Sequence, residues 1–483
     1  RGSSIHLQST SVHFDRRTRP KPESPSNYAQ GSRATSKTAA MVAAPRFGIA
    51  VGSKDELRPI QLISYGIGHH MNDLCAACWF TYLLIFLESP AVGESQMQAG
   101  LIMLSGQVAD GFTTPLIGLV SDATPDSLHM PALGLGKRKL WHALGSVIVC
   151  FSFSATFGGL LPEPGVLRTL YLAAGASLFN VGWAAVQVSH MSLLPELHAD
   201  EGERTRLQST VYASTVTANL LMFTLFGICS GIDAARPFGL ITLGVMGIGG
   251  CTTLWFHANV RERCDRGCAA VGVAAEAEKA AAWEAAEAEP SFSPWRWFCL
   301  LEFYLCGATY MLTRIVVNMS QTYVPFFVIN TLRLPHSALA TVPAAMYVSA
   351  LMGTSVQARV TSHCGKPATY LLGALCVGAA AASLAFVPPL PSAAAYLVYP
   401  AASLLGCGGT MALVTSVTME ADLVDRHPSS AAFLYGVMSL TDKLANGSII
   451  FLIQAHRELL MAGPGCAGLD LSHQRDCALM AAF

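Results

Sequence analysis

Charge is what this sequence has least of. Only 13% of its residues are Asp, Glu, Lys or Arg, against 52% hydrophobic, whereas an average soluble domain carries about 25% charged residues. A water-soluble fold of 483 residues cannot cover its surface with so few charges. The formal net charge of -1 excludes a global field that would recruit nucleic acid. No activated serine and no metal-binding triad is present, so an enzyme has little support, and neither a cofactor nor a metal is expected. What remains is a membrane protein in contact with lipid.

The fourteen cysteines do not change that reading. Cys75, Cys78, Cys150, Cys229, Cys251, Cys376 and Cys407 lie inside apolar runs, where Cys behaves as a small hydrophobe. Cys75 and Cys78 have the spacing of a redox motif but lack its soluble strand-to-helix context. Cys466 and Cys477 flank a polar loop. Closing that loop with a disulfide would contribute roughly 3 kcal/mol in the chain-entropy treatment; spacing alone leaves both the paired and the free state open.

Apolar runs long enough to span about 30 Å of hydrocarbon follow one another near 61–87, 97–120, 140–161, 167–194, 209–231, 238–258, 298–328, 339–361, 368–388, 393–419 and 431–455. Their continuous apolarity predicts helices, which satisfy their own backbone groups in lipid. One alternate set of loops carries Lys137, Arg138, Lys139, Arg204, Arg206, Arg261, Arg263, Arg266, Arg359, Lys366 and Arg426, and the opposite set holds chiefly Arg236 and Arg333. The positive-inside rule places the basic set and the N-terminus in the cytosol. The expected organisation is a polar, disordered segment over 1–56, a six-helix bundle over 57–258, a cytosolic linker over 259–296 with an exposed helix, and a second bundle over 297–483. That second bundle has five helices and a sixth that reads as truncated at CALMAAF. The first 40 residues read as sequence upstream of a start near Met41, with an organelle-targeting peptide as the alternative.

The two halves repeat. Asp73 precedes Tyr82 by nine residues in the first span, and Arg314 precedes Tyr323 by nine in the seventh. GKRKLW follows span 2 and GKPATY follows span 8; PELHADEGERTR follows span 4 and MEADLVDRH follows span 10. Transporters place binding sites where such repeats face each other. An acid and a base would then occupy equivalent positions in opposing halves.

Charges at membrane depth are costly and tend to mark function. Asp73, in GHHMND, lies well inside its span. Arg314 cannot shed its proton and needs an anion, either a permanent partner such as Asp73 or Asp110, or a substrate carboxylate held by its fork. Asn318 and Gln321 lie on or near the same helix face and complete the candidate substrate site. His69 and His70 are structural or titrate during transport. Trp79, Trp183, Tyr82, Tyr323 and Tyr347 are expected mostly to pack, one or two of them walling a cavity. Asp110, with Gln107 and Thr114, forms a polar stripe on span 2. Asp442 and Lys443 point in different directions and need not pair with each other. His190, Glu196, Arg204 and Arg206 after span 4, and Glu420, Asp422, Asp425 and Arg426 after span 10, read as gate charges near the cytosolic face.

SYGIGHHMNDLCAACWFTYLL, GQVADGFTTPLIGLVSD, GWAAVQVSHMSLLPEL, YMLTRIVVNMSQTY and FLYGVMSLTDKLANG resemble the major facilitator superfamily, in its glycoside–pentoside–hexuronide:cation symporter branch. The resemblance covers roughly residues 60 to 456. It implies an all-α polytopic fold of two six-helix bundles around a central cavity, and alternating access. Within the branch, these stretches resemble a member that imports cysteine into lysosomes and melanosomes. It implies that Asp73 recognises substrate, that Asp110 is one of two helix-2 carboxylates holding sodium, and that Lys443 is the lysine beside that site. The sequence departs from this pattern at Thr114, where the second carboxylate would stand, and at Gln187, a candidate substrate-binding residue where helix 4 would carry an acid. The expected function is import of cysteine or a similar zwitterion into lysosomes or melanosomes, with a proton as candidate coupling ion. Alternatives are a cation-coupled sugar symporter, a plasma-membrane location, an intramembrane enzyme using GHHMND, and a scaffold that does not transport.

Overall fold

A computed structural model describes residues 56–125, 128, 135–198, 200–232, 237–262, 294–426 and 431–461. The expected disordered N-terminal segment, most of the 259–296 linker, the stretch where a twelfth helix was expected and the Cys466–Cys477 loop lie outside the described residues. All of the expected spans appear as helices. These are α1 (Pro59–Glu88), α2 (Gln96–Asp122), α3 (Lys137–Phe157), α4 (Val166–Leu197), α5 (Glu201–Ile232), α6 (Pro237–Asn259), α7 (Leu301–Phe326), α8 (338–364), α9 (366–385), α10 (Val398–Asp425) and α11 (Ala431–Met461).

Local chemistry sets the helix ends. Ser95 and Gln98 form a capping box at the start of α2: Gln98 N donates to Ser95 Oγ (3.3 Å) and Ser95 N to Gln98 Oε1 (2.9 Å), which satisfies two orphan donors reciprocally. The two predicted spans at 339–361 and 368–388 form one helical run, Ala338–Ala385, broken only at Gly365, whose φ of 80° suits glycine alone. Eight helical stretches among the described residues are long and apolar enough to cross a membrane, the 338–385 run being one of them. Helices α2 and α7, at 27 and 26 residues, are long enough too, at about 40 Å. Their polar stripes, with Gln107, Asp110 and Thr114 on one and Arg314, Asn318 and Gln321 on the other, keep them outside that group.

Helices α1 to α6 pack among themselves, as do α7 to α11, and the halves meet through α2 on α11, α5 on α8, and α1 on α7. One packing device recurs in both halves. A Cβ at Gly145 on α3 would sit 2.8 Å from the Gly182 carbonyl on α4, and one at Gly373 on α9 would sit 2.8 Å from the Gly408 carbonyl on α10. Small residues that let backbones touch are the usual means of joining helices in lipid, and here they occupy matching helices of each half. Because the obstructing atoms are backbone, Gly373→Val should cost at least about 1–3 kcal/mol of overpacking strain. Thermal-stability profiles of purified protein should show an earlier transition for that variant; an unchanged profile would count against the packing.

The largest core cluster fills the first half around Met71, Trp79, Tyr82, Phe153, Phe179 and Phe223, and reaches the second half at Phe326, Leu339, Ala340 and Ile450. All four lie at the end away from Lys137, Arg138 and Lys366. The clusters nearer the basic end, around Leu193 and Phe256 and around Trp297 and Leu423, each stay within one half.

Candidate functional site

Helix α1 does not run straight through the core. A 3₁₀ turn at Ile67–His69 interrupts it, and carbonyls beside such a break need donors at membrane depth. Histidines from two other helices supply them. His190 Nε2 on α4 donates to the Tyr65 carbonyl (3.0 Å) and His142 Nε2 on α3 donates to the Gly68 carbonyl (3.1 Å). The His190 ring stacks on Tyr65 at 4.3 Å, and Tyr65 Oη donates back to the His190 carbonyl (2.9 Å). With its Nε2 donating, His142 accepts at Nδ1 from His257 Nε2 (3.0 Å). His190, expected as a gate residue near the surface, is only 1% exposed because it serves this break.

The break sets up Asp73. His69 Nδ1 donates to its Oδ1 and Thr215 Oγ1 on α5 to its Oδ2, each at 3.0 Å. The carboxylate is thus held by two donors of its own half, and among the described residues no arginine pairs with it. His70 turns the other way and bonds Ser214 Oγ (3.0 Å).

Arg314 finds its partner on α11. Its Nε donates to Asp442 Oδ2 at 3.1 Å, and Asn446 Nδ2 donates to Asp442 Oδ1 at 2.6 Å. Neither Asp73 nor Asp110, the partners foreseen from sequence, forms this pair. The arginine side chain is 29% exposed, and no described residue accepts from Nη1 or Nη2. Half of its fork therefore stays open.

The neighbouring lysine faces the opposite half. Lys443 Nζ lies 2.5 Å from Asp110 Oδ2 and donates to Thr114 Oγ1 (3.2 Å), while Thr114 Oγ1 donates to Asp110 Oδ1 (2.9 Å). Asp110 and Lys443 thus form a closed, nearly dry triangle with Thr114 across the α2–α11 seam. Adjacent residues on a helix diverge by about 100°, which is how Asp442 reaches α7 while Lys443 reaches α2.

Between α5, α7, α8 and α10 lies a cavity of about 200 Å³. Thr215, Asn219, Ser320, Gln321 and Tyr347 supply most of its polar wall, and Met346, Leu405 and Leu413 much of the apolar remainder. Thr215 is the Asp73 donor, and Gln321 Nε2 donates to Tyr347 Oη (2.9 Å). Arg314 sits one and two helical turns before the cavity residues Val317 and Gln321, on the same face of α7. Asn318 is buried on that helix, at 4% exposure, and Gln187 is half-buried on α4. Tyr82 and Trp79 are fully enclosed packing residues, whereas Tyr347 walls the cavity.

Three of the expected gate charges, Arg206, Asp422 and Arg426, pair within their own halves. Arg206 bonds Glu203 (2.6 Å) and Glu56 (3.4 Å), Lys366 Nζ lies 2.5 Å from Asp422, and Arg426 bonds Glu302. Arg204 lies in the first turn of α5, Glu420 is buried on α10, and the Glu196 and Asp425 side chains lie outside the described residues. Sequence reasoning missed a bridge at the other end, between Glu88 and Arg457. Both lie just past the ends of the spans predicted at 61–87 and 431–455; opposite charges at the same membrane depth are the available signal.

Membrane-length helices in two packed sets, with a cavity and paired charges where the sets meet, define a polytopic transporter of the major facilitator fold. Residues 64–453 match the family described as MFS/sugar transport protein, and the chain belongs to it. The chain is 36% identical over 435 residues to the human Major facilitator superfamily domain-containing protein 12, covering 84% of this chain and 87% of that one. Its identity to the horse protein of the same name is 37% over 426 residues, 81% of this chain and 84% of the other. Among solved structures, the fold is similar to the nucleoside transporter NupG, with a TM-score of 0.61 at 10% identity over 87% of this chain and 95% of the other. A D-xylose-proton symporter aligns with a TM-score of 0.57 at 13% identity, over 87% and 94% of the two chains.

Proposed function

We propose that this transporter carries a small zwitterionic amino acid, cysteine, from the cytosol into the lumen of lysosomes or melanosomes by alternating access. The observation that carries the zwitterion is the half-used fork of Arg314: Nε is anchored on Asp442, leaving Nη1 and Nη2 for a carboxylate that binds bidentately. Asp73, beyond Thr215 on the α5 wall, is the counterpart for an ammonium group. A neutral sugar needs neither a free guanidinium nor a compensating acid. Cysteine in particular, and the organelle, follow from the resemblance of the 60–456 stretches. The basic end, with Lys137, Arg138 and Lys366, is cytosolic by the positive-inside rule. Glu196, Arg204, Arg206, Glu420, Asp422 and Arg426 act as charges of the cytosolic gate, exchanging partners as that end closes.

The second reading, a cation-coupled sugar symporter, draws support from the family description. Proteoliposomes holding the purified protein should accumulate labelled cysteine and neither labelled xylose nor a labelled nucleoside. Sugar uptake without cysteine uptake overturns the proposal. Asp73→Asn keeps the side-chain shape but cannot offset an ammonium, so its cysteine uptake should fall to background while the protein remains folded.

A further inference from the structure

The two ends of the molecule are joined differently. At the basic end, the ion pairs Arg206–Glu203, Arg138–Asp122, Lys366–Asp422 and Arg426–Glu302 each link residues of one half. At the opposite end the bonds cross between halves. Tyr82 Oη donates to the Leu339 carbonyl (3.0 Å) and Thr322 Oγ1 to the Phe80 carbonyl (3.2 Å). A Cβ on Gly100 would lie 2.8 Å from Gln454 Cβ and 3.3 Å from Phe451 Cα, so α2 and α11 touch there.

The strongest of these crossings is charged. Arg457 Nη1, on the last turns of α11, donates to Glu88 Oε2 at 2.8 Å and Oε1 at 3.0 Å, at the end of α1. Gln454 Nε2 donates to the same Oε1 at 2.6 Å. The guanidinium carbon of Arg457 lies 4.9 Å from the centroid of the Phe326 ring on α7, within cation–π range. Side-chain exposures of 10% for Arg457 and 16% for Glu88 put the pair largely out of water, where a broken charge pair leaves both ions uncompensated. One carboxylate thus ties α1 to α11, and one guanidinium ties α11 to α7.

We propose that Glu88, Arg457, Gln454 and Phe326 form a latch that holds the end opposite the basic loops shut, and that it must open for the cavity to face that side. Its members touch no part of the cavity and act on transport by setting which end is open. The latch rests on the alternating-access reading of the fold and not on the identity of the substrate. Replacing Glu88 by Gln removes the charge and keeps the shape, which shifts the protein toward the conformation open at the latch end and closed at the basic end.

Hydrogen–deuterium exchange of the full chain in lipid nanodiscs tests this directly. In Glu88→Gln, amides of 82–90 and 451–457 should exchange about tenfold faster or more, the scale expected for truncating one partner of a buried charge pair. Amides of 306–314 and 436–442, nearer the basic end, should exchange more slowly. Arg457→Gln should reproduce the pattern independently, and the exchanged pair Glu88→Arg with Arg457→Glu should return both ends toward the unmodified protein. Faster exchange at both ends means the pair merely stabilises the fold, and that outcome overturns the latch, as does an unchanged pattern in both single variants. Absence of substrate uptake by the unmodified protein would instead count against the proposed transport, leaving the exchange result to stand by itself.

Discussion

Replacing Arg314 with Ala should lower uptake about a hundredfold or more, the scale at which a site built to bond a charged group loses its discrimination. Two losses combine in that variant. Asp442 has a side chain only 3% exposed, and removing its partner leaves a buried carboxylate at a cost of about 3–5 kcal/mol. The open half of the guanidinium fork goes as well. The double variant Arg314→Met with Asp442→Asn separates them, because an amide at 442 needs no counter-charge and can still bond Asn446. Melting temperature should recover in the double variant while uptake stays at background. Arg314→Lys makes the complementary point, since it keeps the charge and loses the planar fork; its uptake should fall strongly with little change in stability. Recovered uptake in the double variant, or normal affinity in Arg314→Lys, would reduce Arg314 to a structural ion.

The architecture was legible in the sequence because lipid imposes length and apolarity on each helix separately, and neither depends on what the helix touches. Asp73, Asp110, Arg314, Asp442 and Lys443 stood out for the same reason: a charge inside an apolar run is visible in one dimension. Their pairing was not visible. Arg314 and Asp442 lie 128 residues apart, and only the rotation of α7 against α11 decides that Arg314 meets Asp442 and not Asp73 or Asp110. The 3₁₀ turn in α1 was hidden too, since GIGHH contains no proline and its stability comes from His142 and His190 on other helices. Position along the chain gave no cue at the span ends either. Glu88 and Arg457 lie one and two residues beyond the predicted spans and bury each other.

The chain's near relatives and the repeat of glycine contacts at Gly145–Gly182 and Gly373–Gly408 bear on the frame of the transporter, while the charge network bears on its coupling. In that network each membrane-depth acid has a different neutraliser. Asp73 has donors only, Asp442 has an arginine, and Asp110 has a lysine. These differences separate the roles: a carboxylate already neutralised by a tethered ammonium has no need of a free cation, whereas one held by a histidine and a hydroxyl still has its charge available.

That distinction makes Lys443 the place where ion dependence can be altered. In the unmodified protein, Lys443 Nζ sits 2.5 Å from Asp110 Oδ2, so replacing sodium with choline should leave uptake unchanged. An imposed pH gradient separates the two modes left: proton coupling predicts that uptake changes with the gradient, and facilitated diffusion predicts that it does not. Lys443→Met removes the ammonium and exposes the need it filled. Asp110, 9% exposed at its side chain, is left with Thr114 alone, a loss of about 3–5 kcal/mol typical of a buried pair deprived of one partner. Uptake in choline should then collapse. If a small cation can enter the space vacated by the lysine, Thr114→Asp in the same background supplies the second carboxylate it needs, and uptake should return in sodium but not in choline. Sodium dependence in the unmodified protein, or full activity of Lys443→Met in choline, would show that Asp110 and Lys443 do not govern the coupling ion.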